Sequence, residues 1–191
     1  MPNVTSRSMT PAAVKVLDVA STLFYQRGIN TVGMDLIAAT AEVTKKTIYD
    51  RFGSKDALVT AYLIRRDHNW REYLATRVDD TGDPRDQILE TFDVLAAWMS
   101  DNYRGCAMVN AHAELSDPAH PARAVITDQK KWLKNLFTDL LAQDGITDGR
   151  LATQLMMLHE GAVVAAHVAG VDDAYAAARQ AAATLMDAHG E

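Results

Sequence analysis

The stretch Thr31–Leu58, TVGMDLIAATAEVTKKTIYDRFGSKDAL, decides the fold. Its spacing predicts two short helices joined by a tight turn and followed by the capped start of a third. Ile37 and Ala38 are neighbours on the first helix, Ala41 lies one turn further on, and Val43 falls in the turn. Ile48 and Phe52 lie one turn apart on the second. Two helices crossing at roughly 90 to 120° touch backbone to backbone, and small Ala38 stands where that approach is needed. Thr44 is a good N-cap, so the second helix begins at Lys45, and Ser54 caps the helix after it. Lys45 and Lys46 then oppose the positive end of the helix dipole, a conflict that an external anion would resolve.

Nucleic acid supplies such an anion, because the first residues of a recognition helix reach base edges and phosphates in a major groove. Lys45, Lys46, Thr47 and Asp50 are the candidates for base-facing positions, with Asp50 able to accept from a cytosine amino group. Thr44, Tyr49 and Lys55 are the candidates for phosphate, Lys55 together with the first amides of its helix. The competing reading is an αα-hairpin whose lysines only face water. Caps, small residue and charge together favour DNA.

The segment from about Thr10 to Leu58 resembles the DNA-binding domain of the TetR family of transcriptional regulators, and the run Thr47–Leu58, TIYDRFGSKDAL, is closely similar to that family's signature. The resemblance covers roughly the first third of the chain. It implies an all-α homodimer with an N-terminal three-helix helix-turn-helix domain and a larger helical ligand-binding and dimerisation domain. It implies also a regulator, most often a repressor, that binds a palindromic operator with two recognition helices about 34 to 36 Å apart. The family usually has glycine in the inter-helix turn, where this chain has Glu42. A left-handed backbone is costly for any residue with a Cβ.

A chain of 191 residues buries a core without covalent staples, and its single cysteine, Cys106, cannot form an internal bridge. No signal peptide and no apolar run long enough to span a bilayer is visible, so a cytoplasmic protein without a membrane partner is expected. The net charge of −6 divides unevenly: residues 1–56 carry seven cations against five anions, a balance of +2, and the remainder carries −8. Such asymmetry suits a nucleic-acid end and a body that DNA repels.

Along the chain, residues 1–9 read as a disordered polar arm, 10–56 as the helix-turn-helix domain and 57–191 as the ligand-binding and dimerisation domain. Thr10-Pro11 starts a helix that runs to Arg27 and stops at Gly28. A long amphipathic helix from Lys55 to about Val78 links the two domains, and residues 79–84 form a loop. Helices follow over 86–102, about 106–115 and from His120-Pro121 to about Gln143, then two more from Asp148, broken near Gly170-Val171-Asp172. The last two are rich in alanine and glycine, and we expect them to form a two-fold interface, a four-helix bundle between subunits. The alternative is that these small residues pack within the chain.

The body is expected to enclose a mostly apolar cavity for a small-molecule effector, with Trp70, Trp98, Met99, Tyr103, Met108, His112, Trp132, Met156 and His159 as candidate lining residues. His112 and Glu114 form an HxE pair, and Cys106, His120, His159 and Glu160 add further donors. The downstream P-C-x-x-C of zinc deaminases and the ExxH repeats of di-metal bundles are absent, so neither metal nor cofactor is expected. No nucleophile elbow or phosphate-binding glycine loop occurs, which argues against an enzyme. The alternative function is a helical interaction module or small-molecule-binding protein that has lost specific DNA binding, because Glu42 and Asp50 dilute the positive charge.

Overall fold

Capping residues set where the helices begin. In the computed structural model, which describes residues 9–78 and 82–189, Thr10 accepts a hydrogen bond from the Ala13 amide and Pro11 opens the first helix. Residues 1–8 of the expected arm and 79–81 of the expected loop lie outside the described residues. Among the described residues the fold is all-α, with nine helices: α1 Pro11–Arg27, α2 Met34–Ala41, α3 Lys45–Phe52, α4 Lys55–Ala75, α5 Pro84–Ser100, α6 Ala107–Glu114, α7 Ala122–Gln143, α8 Gly149–His167 and α9 Ala174–Asp187. None of them is long and apolar enough to cross a membrane.

The chain divides into two compact units. One runs through Arg65 and takes in Ala107–Val125, and the other comprises Arg66–Cys106 and continues from Ile126. The cuts fall within α4 and within α7, so these units do not follow the chain-order division at residues 56 and 57. Helix α6 and the loop after it fold with the helix-turn-helix.

In the first unit, α1, α2, α3 and the start of α4 meet over Val16, Ala20, Phe24, Ile37, Ala41, Ile48, Leu58 and Leu63, all at most 2% exposed. Arg65 fastens the start of α4 to α1 by donating to the Leu17 carbonyl at 3.0 Å, the Ser21 hydroxyl at 2.6 Å and the Asp18 carboxylate. The same unit includes an unforeseen clasp: the Glu114 carboxylate accepts from the Asn30 amide at 2.8 Å, and the Glu114 carbonyl accepts from the Asn30 side chain at 3.0 Å. Gly28, with φ 89°, leaves just enough room for this, since a Cβ there would stand 3.0 and 3.1 Å from the two Glu114 carboxylate oxygens.

In the second unit, α5, α7, α8 and α9 share a core that includes Phe92, Phe137, Leu151, Leu155, Ala178, Ala182 and Met186. A second cluster gathers Trp70, Leu74, Val94, Leu95, Met99 and Val163. Ala174, Ala178 and Ala182, four residues apart, are buried on one face of α9. Part of the alanine expected at a subunit interface is therefore core: Ala152 and Ala162 on α8 are buried within the chain, as are Ala174, Ala178 and Ala182 on α9. The row that α8 turns outward is a different one, Met157, Gly161 and Val164, continued by Val168 at its C-cap.

Candidate nucleic-acid interface

The turn between α2 and α3 closes by two backbone hydrogen bonds, from the Glu42 amide to the Ala39 carbonyl at 3.2 Å and from the Val43 amide to the Ala38 carbonyl at 3.0 Å. This is a Schellman motif, whose turning residue takes a left-handed backbone and is usually glycine. Glu42 occupies that position with φ 52° and ψ 45°, and among the described residues it is the one non-glycine with positive φ. The resemblance had placed a glycine-type turn here, and the backbone keeps that geometry despite the side chain.

Helix α3 starts where its cap dictates. The Thr44 hydroxyl accepts from the Thr47 amide at 3.1 Å and lies 2.9 Å from the Thr47 hydroxyl, so both hydroxyls take part in the cap. Of the eight residues of α3 only Ile48 is buried, and that side chain anchors the helix to the unit's core. Tyr49 is 45% exposed, and the side chains of Lys45, Lys46 and Asp50 are 50%, 82% and 57% exposed. Ser54 accepts from the Ala57 amide at 3.0 Å and so starts α4 with Lys55, which is half-buried. Of the seven expected DNA-facing residues, Thr44, Lys45, Lys46, Tyr49 and Asp50 are exposed and Thr47 and Lys55 are half-buried.

The lysines do not wait for an external anion. Lys45 pairs with Asp35 of α2 at 2.8 Å, and Lys46 pairs with Asp50 one turn along its own helix at 2.7 Å. The hydrogen bond from Lys45 to Asp35, and then the charge of that carboxylate, hold the Lys45 ammonium above the ordinary lysine pKa. The conflict with the helix dipole is thus answered within the chain, by carboxylates that DNA phosphates would have to displace or accommodate. Asp35 reads in the sequence as a first-turn carboxylate suited to the dipole of α2, and its pairing with Lys45 follows only from how α2 crosses α3.

The expected effector residues divide. Trp70, Trp98, Met99, Tyr103, Trp132, Met156 and His159 belong to the second unit, whereas Met108 and His112 belong to the first, because α6 does. Met108 is buried there, and His112 is exposed with a ring nitrogen 3.5 Å from Arg123. Tyr103 is 65% exposed. Trp70 and Met99 share one cluster, with Trp98 packed against it; Met156 packs on the other cluster and Trp132 on both. His159 is only 2% exposed and is ringed by Trp70, Phe92 and Phe137. Burial, and after it the positive charge of Lys130, push its pKa down to about 3, so the ring is neutral.

The metal-donor types seen in the sequence are likewise dispersed. His112, Glu114 and His120 belong to the first unit, and Cys106, His159 and Glu160 to the second. Glu114 holds Asn30, His120 approaches Asp56 at 3.4 Å, and Glu160 holds Lys130. Among the described residues no three such side chains are grouped to hold an ion.

A helix-turn-helix with an outward, cation-bearing second helix defines a class, and comparison with known proteins places the chain within it. Residues 16–62 match the family described as bacterial regulatory proteins, tetR family. The crystal structure of SCO4454, a TetR-family transcriptional regulator from Streptomyces coelicolor, superposes with a TM-score of 0.87 at 31% identity over 97% of this chain and 93% of that one. The chain belongs to the TetR family of transcriptional regulators, whose members are regulators and not enzymes. It is also similar to the uncharacterized HTH-type transcriptional regulator Rv1255c of Mycobacterium tuberculosis, 30% identical over 99 residues, or 52% of this chain and 49% of that protein. The HTH-type transcriptional activator FasR of Mycolicibacterium smegmatis is 25% identical over 130 residues, 68% of this chain and 58% of that protein. The match therefore spans about half the length of the Mycobacterium tuberculosis relative.

Proposed function

We propose that the chain is an effector-responsive transcriptional regulator that binds a palindromic double-stranded operator as a homodimer through α3, the Thr44 cap and Lys55. The observation that carries the reading is the commitment of α3: one buried side chain, Ile48, and an outward surface of Lys45, Lys46, Tyr49 and Asp50. A helix that buries only one side chain fully serves an external partner better than an internal core. Dimerisation through α8 and α9 has its support in the outward row of Met157, Gly161, Val164 and Val168, an apolar strip along one side of α8 and its C-cap. Binding of a small, mostly apolar effector in the second unit would favour a conformation that fits the operator less well, transmitted along α4, and a few kcal/mol of preference suffices. Repression is the sign we propose.

The alternative, a helical interaction module or ligand-binding protein without specific DNA recognition, draws on one observation: Asp35 and Asp50 already hold Lys45 and Lys46. A mobility shift with the protein's own upstream DNA separates the two. Salt-sensitive retention of that duplex over a scrambled one is expected, and equal retention of both would establish the alternative. Sedimentation checks the dimer, and monomer alone at micromolar concentration would remove it together with the palindrome.

A further inference from the structure

One side chain of the second unit is dearer to the fold than its packing requires. The imidazole of His159 has ring centroids of Trp70, Phe92 and Phe137 at 6.1, 5.6 and 6.0 Å, the last two meeting it edge to face. Both of its ring nitrogens are fully buried, and neither has a hydrogen-bond partner among the described residues. A neutral imidazole offers one donor and one acceptor, and buried polar groups are nearly always paired because leaving them unpaired is costly. A phenylalanine would fill an aromatic cage without that cost. Lys130, whose positive charge reaches the ring, is itself paired: it donates to both Glu160 carboxylate oxygens, at 2.8 and 2.7 Å, and to the Cys106 sulfur at 3.4 Å.

We propose that His159 is the polar anchor of the effector site, and that the effector is an uncharged, largely aromatic molecule whose hydroxyl or carbonyl group hydrogen-bonds a ring nitrogen within the Trp70, Phe92 and Phe137 cage. This rests on the reading that the second unit receives an effector. Apolar walls with a single polar group are the usual composition of such sites. A carboxylate or ammonium would have to compete with an ion pair already closed, since Lys130 and Glu160 hold each other at 2.7 Å. Because the rings close over both nitrogens, entry must part them, and binding therefore selects a more open arrangement of α4, α5, α7 and α8.

Calorimetric titration of the full chain with four matched naphthalenes tests this. 1-Naphthol is expected to bind about tenfold more tightly than 1-methylnaphthalene, the worth of one hydrogen bond. 1-Naphthoate and 1-naphthylmethylammonium are expected to bind more weakly than either. His159→Phe should reduce 1-naphthol to the affinity of 1-methylnaphthalene, while His159→Gln, which keeps a donor and an acceptor, should retain part of the preference. The nitrogen chemical shifts of the wild-type His159 ring, which need no variant, should move with 1-naphthol and stay with 1-methylnaphthalene. An undiminished preference in His159→Phe, tightest binding by a charged naphthalene, unmoved nitrogen shifts or no binding by any of the four would each overturn the proposal. Operator release is scored separately. 1-Naphthol binding at His159 without release leaves the anchor standing and overturns the effector response, and release that survives His159→Phe overturns the anchor alone.

Discussion

The ammonium of Lys15 on α1 lies 2.7 Å from the carboxylate of Glu42, the residue that turns the chain between α2 and α3 in a left-handed conformation. The pair offsets part of the backbone cost by fastening the turn to a neighbouring helix. The hydrogen bond from Lys15, and then its charge, hold the Glu42 carboxyl below the usual glutamate range.

Replacing Glu42 with Gly relieves a conformation that only glycine adopts freely, and gives up an exposed ion pair of small worth. Thermal unfolding followed by circular dichroism should show a midpoint raised by roughly 2 to 5 °C at pH 7. A depressed carboxyl pKa contributes stability above the ordinary glutamate value of about 4.3 that is lost as pH falls through the folded value. The margin of E42G over the parent should therefore widen below about pH 4. A clear drop in the midpoint at pH 7 would show that the turn is not left-handed in solution.

Asp35 holds Lys45 at 2.8 Å, so under the proposed function it would compete with phosphate for that ammonium. Asp35→Asn should tighten operator binding by roughly two- to tenfold and steepen its loss with salt, because one more free cation joins the counterion balance. Fluorescence anisotropy at two salt concentrations reads both effects. Lys45→Gln should cancel the gain, and an Asp35→Asn protein that binds no better would place Lys45 away from the duplex.

Tyr49 is exposed enough for its hydroxyl to be removed without harm to the core. Tyr49→Phe should weaken specific and scrambled duplexes alike, by about three- to tenfold, as expected for a phosphate contact. Affinities across single-base variants of the operator provide the check. Selective loss at one base pair would assign Tyr49 to base reading.

Gly28→Ala brings a methyl group to within 3.0 Å of the Glu114 carboxylate at a backbone φ of 89°. Both strain and crowding act, and about 1 to 3 kcal/mol of stability should be lost. Adding Glu114→Ala should recover the crowding but not the strain, and it removes the acceptor of the Asn30 amide as well. Chemical denaturation of the single and double variants separates these contributions. Additive losses would mean that the two residues do not meet.

His159→Phe removes two unpaired nitrogens from the aromatic cage and should leave the unliganded protein as stable as its parent or more so. Because the buried ring titrates at about 3 against an ordinary 6.5, the unfolded chain takes up a proton first as pH falls, and folding becomes less favourable from about pH 6.5 down to about 3. Between pH 6.5 and pH 5 the parent should therefore lose about 2 kcal/mol relative to H159F. Urea midpoints at the two pH values measure the difference, and parallel curves would mean that the ring is reached by solvent.

What the sequence made legible was local chemistry. Thr10, Thr44 and Ser54 begin helices because their hydroxyls satisfy amides three residues on, and that pattern needs no knowledge of the rest of the chain. What stayed hidden depends on distant neighbours. Asp35 meets Lys45 only once α2 and α3 cross, and Glu114 meets Asn30 across 84 residues. Composition alone could not separate Met108 and His112 from Trp70 and His159, since nothing in α6 announces which unit it joins. Alanine-rich α8 and α9 likewise have an inner and an outer face, and small side chains suit close approach on both. Leu151 and Ala162 turned inward while Val164 and Val168 turned outward.

Since the helix-turn-helix shares its compact unit with residues 107–125, a chain cut after Arg65 would deprive Asn30 of both its Glu114 bonds. During synthesis the reading head must stay unfinished while α5 emerges, and it closes only once the ribosome has released the segment ending at Val125. Transplanting this head onto another protein would accordingly require carrying two pieces of chain instead of one.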